Sequence, residues 1–286
     1  MSLPLVAILV VDTRLVGGKK TLENLTAMVS ALPFVSCAAA PTILVYDAAV
    51  IPPWTLKTRV VATLRGLHKK GPRFLFLGIN GHSKLYKGAD AQEMATGLGC
   101  EVFVMNTGPD ARFSCLVSET GSETNKAPQS KTMPVLTPID MKEILFAIPP
   151  NVKRTLVFLD TCHSMSLVSV LVVPPIDIRI IHSTGEEEKT WQTEAGGSVM
   201  SATWLRALML LCGEPRRRDP RRRDPRRVRQ GSACCVGLDE EMRKASVQEA
   251  ICCCTSGALQ SLIKIVASLV RVQVLTTGPG QGLTVY

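Results

Sequence analysis

Apolar residues fall along this chain in two patterns. Some form short unbroken blocks, and others recur every third or fourth position. The block Leu5–Val11 ends at Asp12 and reads as a strand buried on both faces. Pro41–Tyr46, Phe74–Ile79, Val102–Met105, Thr155–Leu159 and Asp177–Ile181 read the same way, the third closed by Asn80-Gly81 and the fourth the shortest. Helical spacing appears in Thr21–Leu32, where Leu22, Leu25, Met28, Val29 and Leu32 share a face. It returns in Leu56–His68, through Val60, Val61, Leu64 and Leu67. Pro138–Phe146 is a further helix, with Thr137 or Asp140 as cap. Ser198–Cys212 and Val247–Val270 also read as helices, and Val272–Val285 takes strand character at its end.

Buried strands alternating with helices predict a three-layer α/β/α sandwich around a mostly parallel sheet. Two segments stand outside that alternation. Asn106–Thr137 is rich in Ser, Thr, Pro and Gly with little periodicity, and reads as an inserted surface loop. Pro215–Arg229 carries a tandem Arg-Arg-Arg-Asp-Pro repeat that cannot bury a core, and reads as a disordered loop.

Composition changes this picture little. Hydrophobic residues make up 46% of the 286 positions and aromatics only 5%, so aliphatic side chains must fill the core. The formal charge of +9 suggests a nucleic-acid partner until it is located. Pro215–Arg229 holds nine Arg and two Asp, a local +7, which leaves +2 for everything else. A basic groove on the folded body is therefore not expected, and a nucleic-acid role would rest on one loop. Five of the ten cysteines crowd into Cys234-Cys235 and Cys252-Cys253-Cys254, which bridge poorly and lack metal-site spacing. No apolar run reaches the roughly 18 residues of a membrane span. Leu3–Val11 has no basic region before it and no small-residue cleavage site after it. A reduced, cytoplasmic or nuclear protein with no metal is expected.

In parallel sheets, sites gather at the carboxyl ends of strands. Two ends carry chemistry. Phe74–Ile79 runs into Asn80-Gly81-His82-Ser83, and Thr155–Leu159 runs into Asp160-Thr161-Cys162-His163-Ser164. A thiol needs a base to become a nucleophile at neutral pH, and an imidazole on the same sheet edge supplies one. His163 competes for that role, but sequence neighbours at a strand end tend to point apart, which favours His82. A buried structural Cys and a polar loop His are the bland alternative.

The apolar block ending in Gly81-His82, followed by a second ending in Asp160-Thr161-Cys162-His163-Ser164, resembles the caspase and metacaspase superfamily. Ile180-Ile181-His182-Ser183-Thr184, Thr190-Trp191-Gln192 and Gly197-Ser198 are similar to the start of a caspase small subunit, and Gln273–Tyr286 to the closing strand. The resemblance implies a caspase-like fold, with residues 1–175 as the large-subunit-like portion and 176–286 as the small-subunit-like portion. It implies a cysteine endopeptidase of the kind active in programmed cell death. His82 and Cys162 take the catalytic positions, and the Ser83 and Cys162 N–H groups the oxyanion positions. Asp160 sits in the specificity pocket, with Asn80 lining it and Ser183 on the strand beside it. A turn-capping carboxylate is the alternative for Asp160.

Caspases hold Asp with an Arg from a Ser-Trp-Arg stretch. Thr190-Trp191-Gln192 stands there instead, so protein or peptide substrates with Arg or Lys before the scissile bond are expected. Such an enzyme would cut its own Arg-rich loop. Many metacaspases use calcium, but Asp90, Glu93, Glu101 and Asp110 do not assemble a six-oxygen site, so no cofactor is assigned. Ser83 and Met165 stand where the family has glycine. That departure opens a second reading, a catalytically silent caspase-like module that binds or regulates partners.

Overall fold

In the computed structural model the residues described are 5–31, 40–68, 72, 74–120, 131–152, 154–171, 174, 176–184, 189–212, 273–276 and 284–285. The expected helix Val247–Val270, the Arg-rich segment and the clustered cysteines lie outside them.

Strand β1 (Leu5–Val11) is buried at all seven positions, as an apolar run covered on both faces must be. Helix α1 (Gly18–Ala31) follows, then β2 (Thr42–Asp47) and α2 (Pro53–Leu67). Pro53 opens α2, where its missing N–H costs nothing. The apolar stripe expected of α2 is the face it buries: Leu56, Val60, Val61, Leu64 and Leu67. β2 corrects one expectation. It is partly exposed throughout because it pairs only with β1 and ends the sheet.

Strand β3 (Phe74–Lys87) spans 14 residues and does not stop at Asn80-Gly81. Its apolar first half lies parallel between β1 and β6 (Arg154–Thr161). Its second half leaves that sheet and pairs antiparallel with β4 (Arg112–Thr120), whose partner is β5 (Lys131–Leu136). The segment expected as a surface loop, Asn106–Thr137, therefore contributes a 3₁₀ turn at Gly108–Asp110 and these two strands. Phe113, Cys115 and Val117 are buried along β4, against α3 (Gly88–Gly97). Val102–Met105 is likewise no strand. Glu101–Phe103 forms a 3₁₀ turn, with Phe103 buried and Val102 exposed.

Helix α4 (Pro138–Phe146) uses both of its candidate cap residues. Thr137 Oγ1 accepts the Asp140 N–H at 3.2 Å, and Asp140 Oδ2 accepts the Thr137 N–H at 2.8 Å, a reciprocal capping box. After β6 come a short helix, α5 (Ser164–Val168), and β7 (Ile178–His182). The two-residue strands β8 (Gln192–Thr193) and β9 (Gly197–Ser198) form a hairpin leading into α6 (Val199–Cys212). β10 (Gln273–Thr276) and β11 (Thr284–Val285) complete the sheet.

The strand order is β11-β10-β7-β6-β3-β1-β2. From β2 to β7 all neighbours are parallel, and β10 and β11 run antiparallel. One sheet face packs on α2, α4 and α5, the other on α1 and α6. This is the expected three-layer α/β/α sandwich. No helix among the described residues is long and apolar enough to cross a membrane.

Phe158 ties α6 to the sheet. Its ring stacks 6.2 Å from Phe76 and meets Trp204 edge-on at 6.0 Å. Phe158→Ala is expected to cost about 3–5 kcal/mol through the cavity it leaves, read as a fall in the urea midpoint with an unchanged slope.

Candidate active site

The parallel ladder between β3 and β6 ends with Asn80 opposite Asp160 and Gly81 opposite Thr161. His82 and Cys162 each follow the last paired position of this ladder, His82 still within β3 and Cys162 in the turn after β6. His82 and Ser83 lie within β3, opposite Val117 and Leu116 of β4, and not in a loop. The chain turns sharply after Cys162 because His163 is left-handed, with φ 51°, at the entry to α5. For a non-glycine residue that conformation costs about 1–2 kcal/mol, so its surroundings must impose it.

Those surroundings are a buried polar network. Ser164 N–H donates to Thr184 Oγ1 at 3.0 Å, and Thr184 N–H donates back to Ser164 Oγ at 3.0 Å. Met165 N–H reaches the Thr184 carbonyl at 3.2 Å, so Met165 is anchored by its backbone in α5. Ser183 Oγ and Thr184 Oγ1 both donate to the Thr161 carbonyl, at 2.9 and 3.0 Å. The Ser183 hydroxyl is thus spent on the strand end just before the thiol. His182 Nδ1 lies 3.1 Å from the Thr184 carbonyl and can bond it only as a donor. Its Nε2 is buried without a hydrogen-bond partner, and burial lowers its pKa, so the ring stays neutral.

Ser83 is fully buried, and its hydroxyl donates to the Cys162 carbonyl, joining the two strand ends side chain to backbone. Asn80 Nδ2 donates to the Asp160 carbonyl at 3.0 Å, while its Oδ1 has no partner. Asp160 is itself wholly buried. Oδ1 accepts from Thr190 Oγ1 at a long 3.4 Å, and Oδ2 has no partner at bonding geometry. Burial pushes its pKa up to about 6, against the nearby Ser198 and Thr190 hydroxyls and the Ser201 backbone, which favour the charged form. A turn-capping carboxylate would accept N–H groups from its own loop, whereas the described bond to Asp160 comes from a residue 30 positions away.

Cys162 is 8% exposed. Burial raises its pKa, opposed by the Thr190 N–H, which points at Sγ from 3.4 Å, and by the charge of Lys189. The resting group is a thiol at neutral pH. Thr190 therefore touches both Asp160 and Cys162, and sequence reasoning placed it only beside the pocket. No local pattern marks it, because its partners are 28 and 30 residues distant. Arg14 is the other residue not foreseen. It binds both oxygens of Asp12, the Ala48 carbonyl and Ser118 Oγ, fastening the ends of β1 and β2 to β4. Among the described residues no group of three or more His, Cys, Asp or Glu is placed to hold a metal.

The buried carboxylate has a measurable signature. Its folded pKa is raised, so its contribution to stability is complete below about pH 3.8 and is lost as pH rises through about 6. Over that window the loss is about 3 kcal/mol at most. His182 acts oppositely, since its pKa is depressed, and its contribution fades as pH falls below about 6.5. The difference in urea stability between wild type and Asp160→Asn isolates the carboxylate. Asp160→Asn is expected to be the more stable protein at pH 8, with the advantage vanishing near pH 4.

No family model matches the chain, and no curated protein matches it. Among solved structures the chain is similar to Caspase-1 from Spodoptera frugiperda, at 12% identity over 72% of this chain and 68% of that one, with a TM-score of 0.41.

Proposed function

We propose that this chain is a caspase-like cysteine endopeptidase of the metacaspase kind, cleaving after Arg or Lys. The observation that carries the reading is that His82 and Cys162 directly follow the last paired positions of β3 and β6, beside a buried, under-bonded carboxylate at Asp160. Cys162 Sγ attacks the scissile carbonyl carbon while His82 takes the thiol proton. A base is required because the buried thiol has a raised pKa. The Ser83 and Cys162 N–H groups receive the oxyanion. Collapse expels the amine, protonated by His82, and leaves a thioester that water hydrolyses. Asp160 takes the substrate cation, whose guanidinium supplies donors that the carboxylate lacks.

A second reading, a silent module that binds partners, is favoured by one observation. The Ser83 hydroxyl occupies the Cys162 carbonyl at the place where the family has a glycine, and the thiol beside it is covered.

Fluorogenic peptides ending in Arg, Lys, Asp or Leu, with and without calcium, separate the two. Cutting after Arg and Lys is expected, abolished by Cys162→Ala and reduced nearly as far by His82→Ala, since a dyad acts as a unit. Asp160→Ala should lose about two to four decades on basic peptides, from the roughly 3–5 kcal/mol of breaking a desolvated ion pair. Preference for Asp overturns the metacaspase-like reading, and no cutting of any peptide supports the silent module.

An enzyme of this specificity should also cut itself within Pro215–Arg229. Sequencing new N-termini after incubation checks this, with Cys162→Ala expected to remain whole.

A further inference from the structure

Asp160 is 0% exposed, so nothing can reach its carboxylate unless a covering group moves. Thr190 is the half-buried residue whose hydroxyl rests on it, and the same residue's N–H lies on Cys162 Sγ. The two contacts differ in strength. An N–H to sulfur contact at 3.4 Å is of ordinary length, whereas a hydroxyl to carboxylate contact at 3.4 Å is long against the usual 2.7–2.8 Å. With Oδ2 unbonded as well, Asp160 holds Thr190 weakly and would exchange it for a stronger donor.

The strap that carries Thr190 is fixed behind it. Val199 N–H donates to the Trp191 carbonyl at 2.9 Å, and β8 then pairs with β9. That hairpin is clamped on α1 by two close backbone approaches. Gly17, with φ 72°, leaves only 2.1 Å between an added Cβ and the Thr193 carbonyl oxygen. Gly197, with φ 71°, leaves 2.7 Å to the Thr21 nitrogen. Thr190 lies just before this fixed hairpin, with its side chain on Asp160 and its backbone N–H on Cys162.

We infer that Thr190 couples cation binding at Asp160 to exposure of the Cys162 thiol. A basic side chain displaces the Thr190 hydroxyl from the carboxylate, and the same displacement lifts the Thr190 N–H from Sγ. The nucleophile is uncovered only when a cation occupies its neighbour. This rests on the reading of Asp160 as the partner of a basic side chain, but it does not require peptide cleavage.

The test is the rate at which iodoacetamide alkylates Cys162, the Sγ–carbon bond forming as iodide leaves, followed by peptide mass spectrometry on the full chain. Millimolar methylguanidinium is the probe, with its binding measured separately by calorimetry. In wild type, saturating methylguanidinium is expected to accelerate alkylation about tenfold, because reagent and water then reach a sulfur whose thiolate burial disfavours. Thr190→Ser should keep the acceleration. Thr190→Val, which keeps the N–H and the shape, should react faster without the cation and gain nothing from it. Asp160→Asn should show no acceleration. Binding in wild type that slows alkylation or leaves it unchanged overturns the coupling and leaves the basic pocket standing. Absence of any binding overturns both. Acceleration that persists in Thr190→Val overturns the role of Thr190.

Discussion

The parallel pairing of β3 with β6 is the constraint on which the rest depends. Eight register pairs run from Phe74 opposite Arg154 to Gly81 opposite Thr161, and the last of them sets what stands at the edge. Side chains alternate across a strand, so a slip of one residue would carry Asp160 and Asn80 to the opposite face. The register is held because the two faces are packed differently. Phe76 and Phe158 face α1 and α6, while Leu77 and Val157 face α2 and α4. Phe158 stacks on Phe76 and meets Trp204, so a shift would break an aromatic cluster as well as the site. Gly78 belongs to the same constraint. A Cβ there would lie 2.9 Å from both the Leu9 and Phe76 side chains, so any larger residue would force one of them to shift.

Elements whose burial is uniform along the chain were legible in the sequence. β1 and the apolar half of β3 are covered on both faces, and α2 shows its buried stripe at helical spacing. The illegible elements mix characters. Beyond Ile79, β3 carries Ser83, Lys84, Tyr86 and Lys87, a half-exposed hairpin pattern that departs from the block before it. β4 packs Phe113, Cys115 and Val117 against α3 while Ser114 and Ser118 are buried too, so its polar composition hid a buried strand. Val102–Met105 failed for a different reason. A run of four apolar residues fits a strand or a turn equally, and the backbone chose a turn that buries Phe103 and exposes Val102.

At the site the same division holds. Asp160, Cys162, Asn80 and His82 follow buried apolar blocks, where the strand-end rule directs attention, although β3 itself continues to Lys87. The residues that complete their environment come from segments without such a mark. Thr190 arrives from a strap between β7 and β8, and the Ser164–Thr184 pair joins a helix start to the end of β7. Their partners are fixed by topology, which one sequence does not disclose. His182 shows the limit from the other side. It reads as a small-subunit residue in the sequence, yet its burial and its bond to the Thr184 carbonyl make it part of the scaffold that holds the turn after Cys162.

Four buried polar atoms without hydrogen-bond partners lie at this edge: Asn80 Oδ1, Asp160 Oδ2, Thr161 Oγ1 and His182 Nε2. Each such atom costs stability, and a carboxylate costs most. An apolar residue at position 160 would continue the pattern of Thr155–Leu159 and pack as its neighbours do. The carboxylate instead sits where burial lifts its pKa to about 6. At neutral pH it is still largely charged, and it is that charge which the resting chain solvates poorly. A group in this condition gains more from an incoming cation than a surface carboxylate would, because its desolvation has already been met in folding. An under-bonded, wholly buried carboxylate thus lies beside a largely buried thiol, with one threonine spanning both.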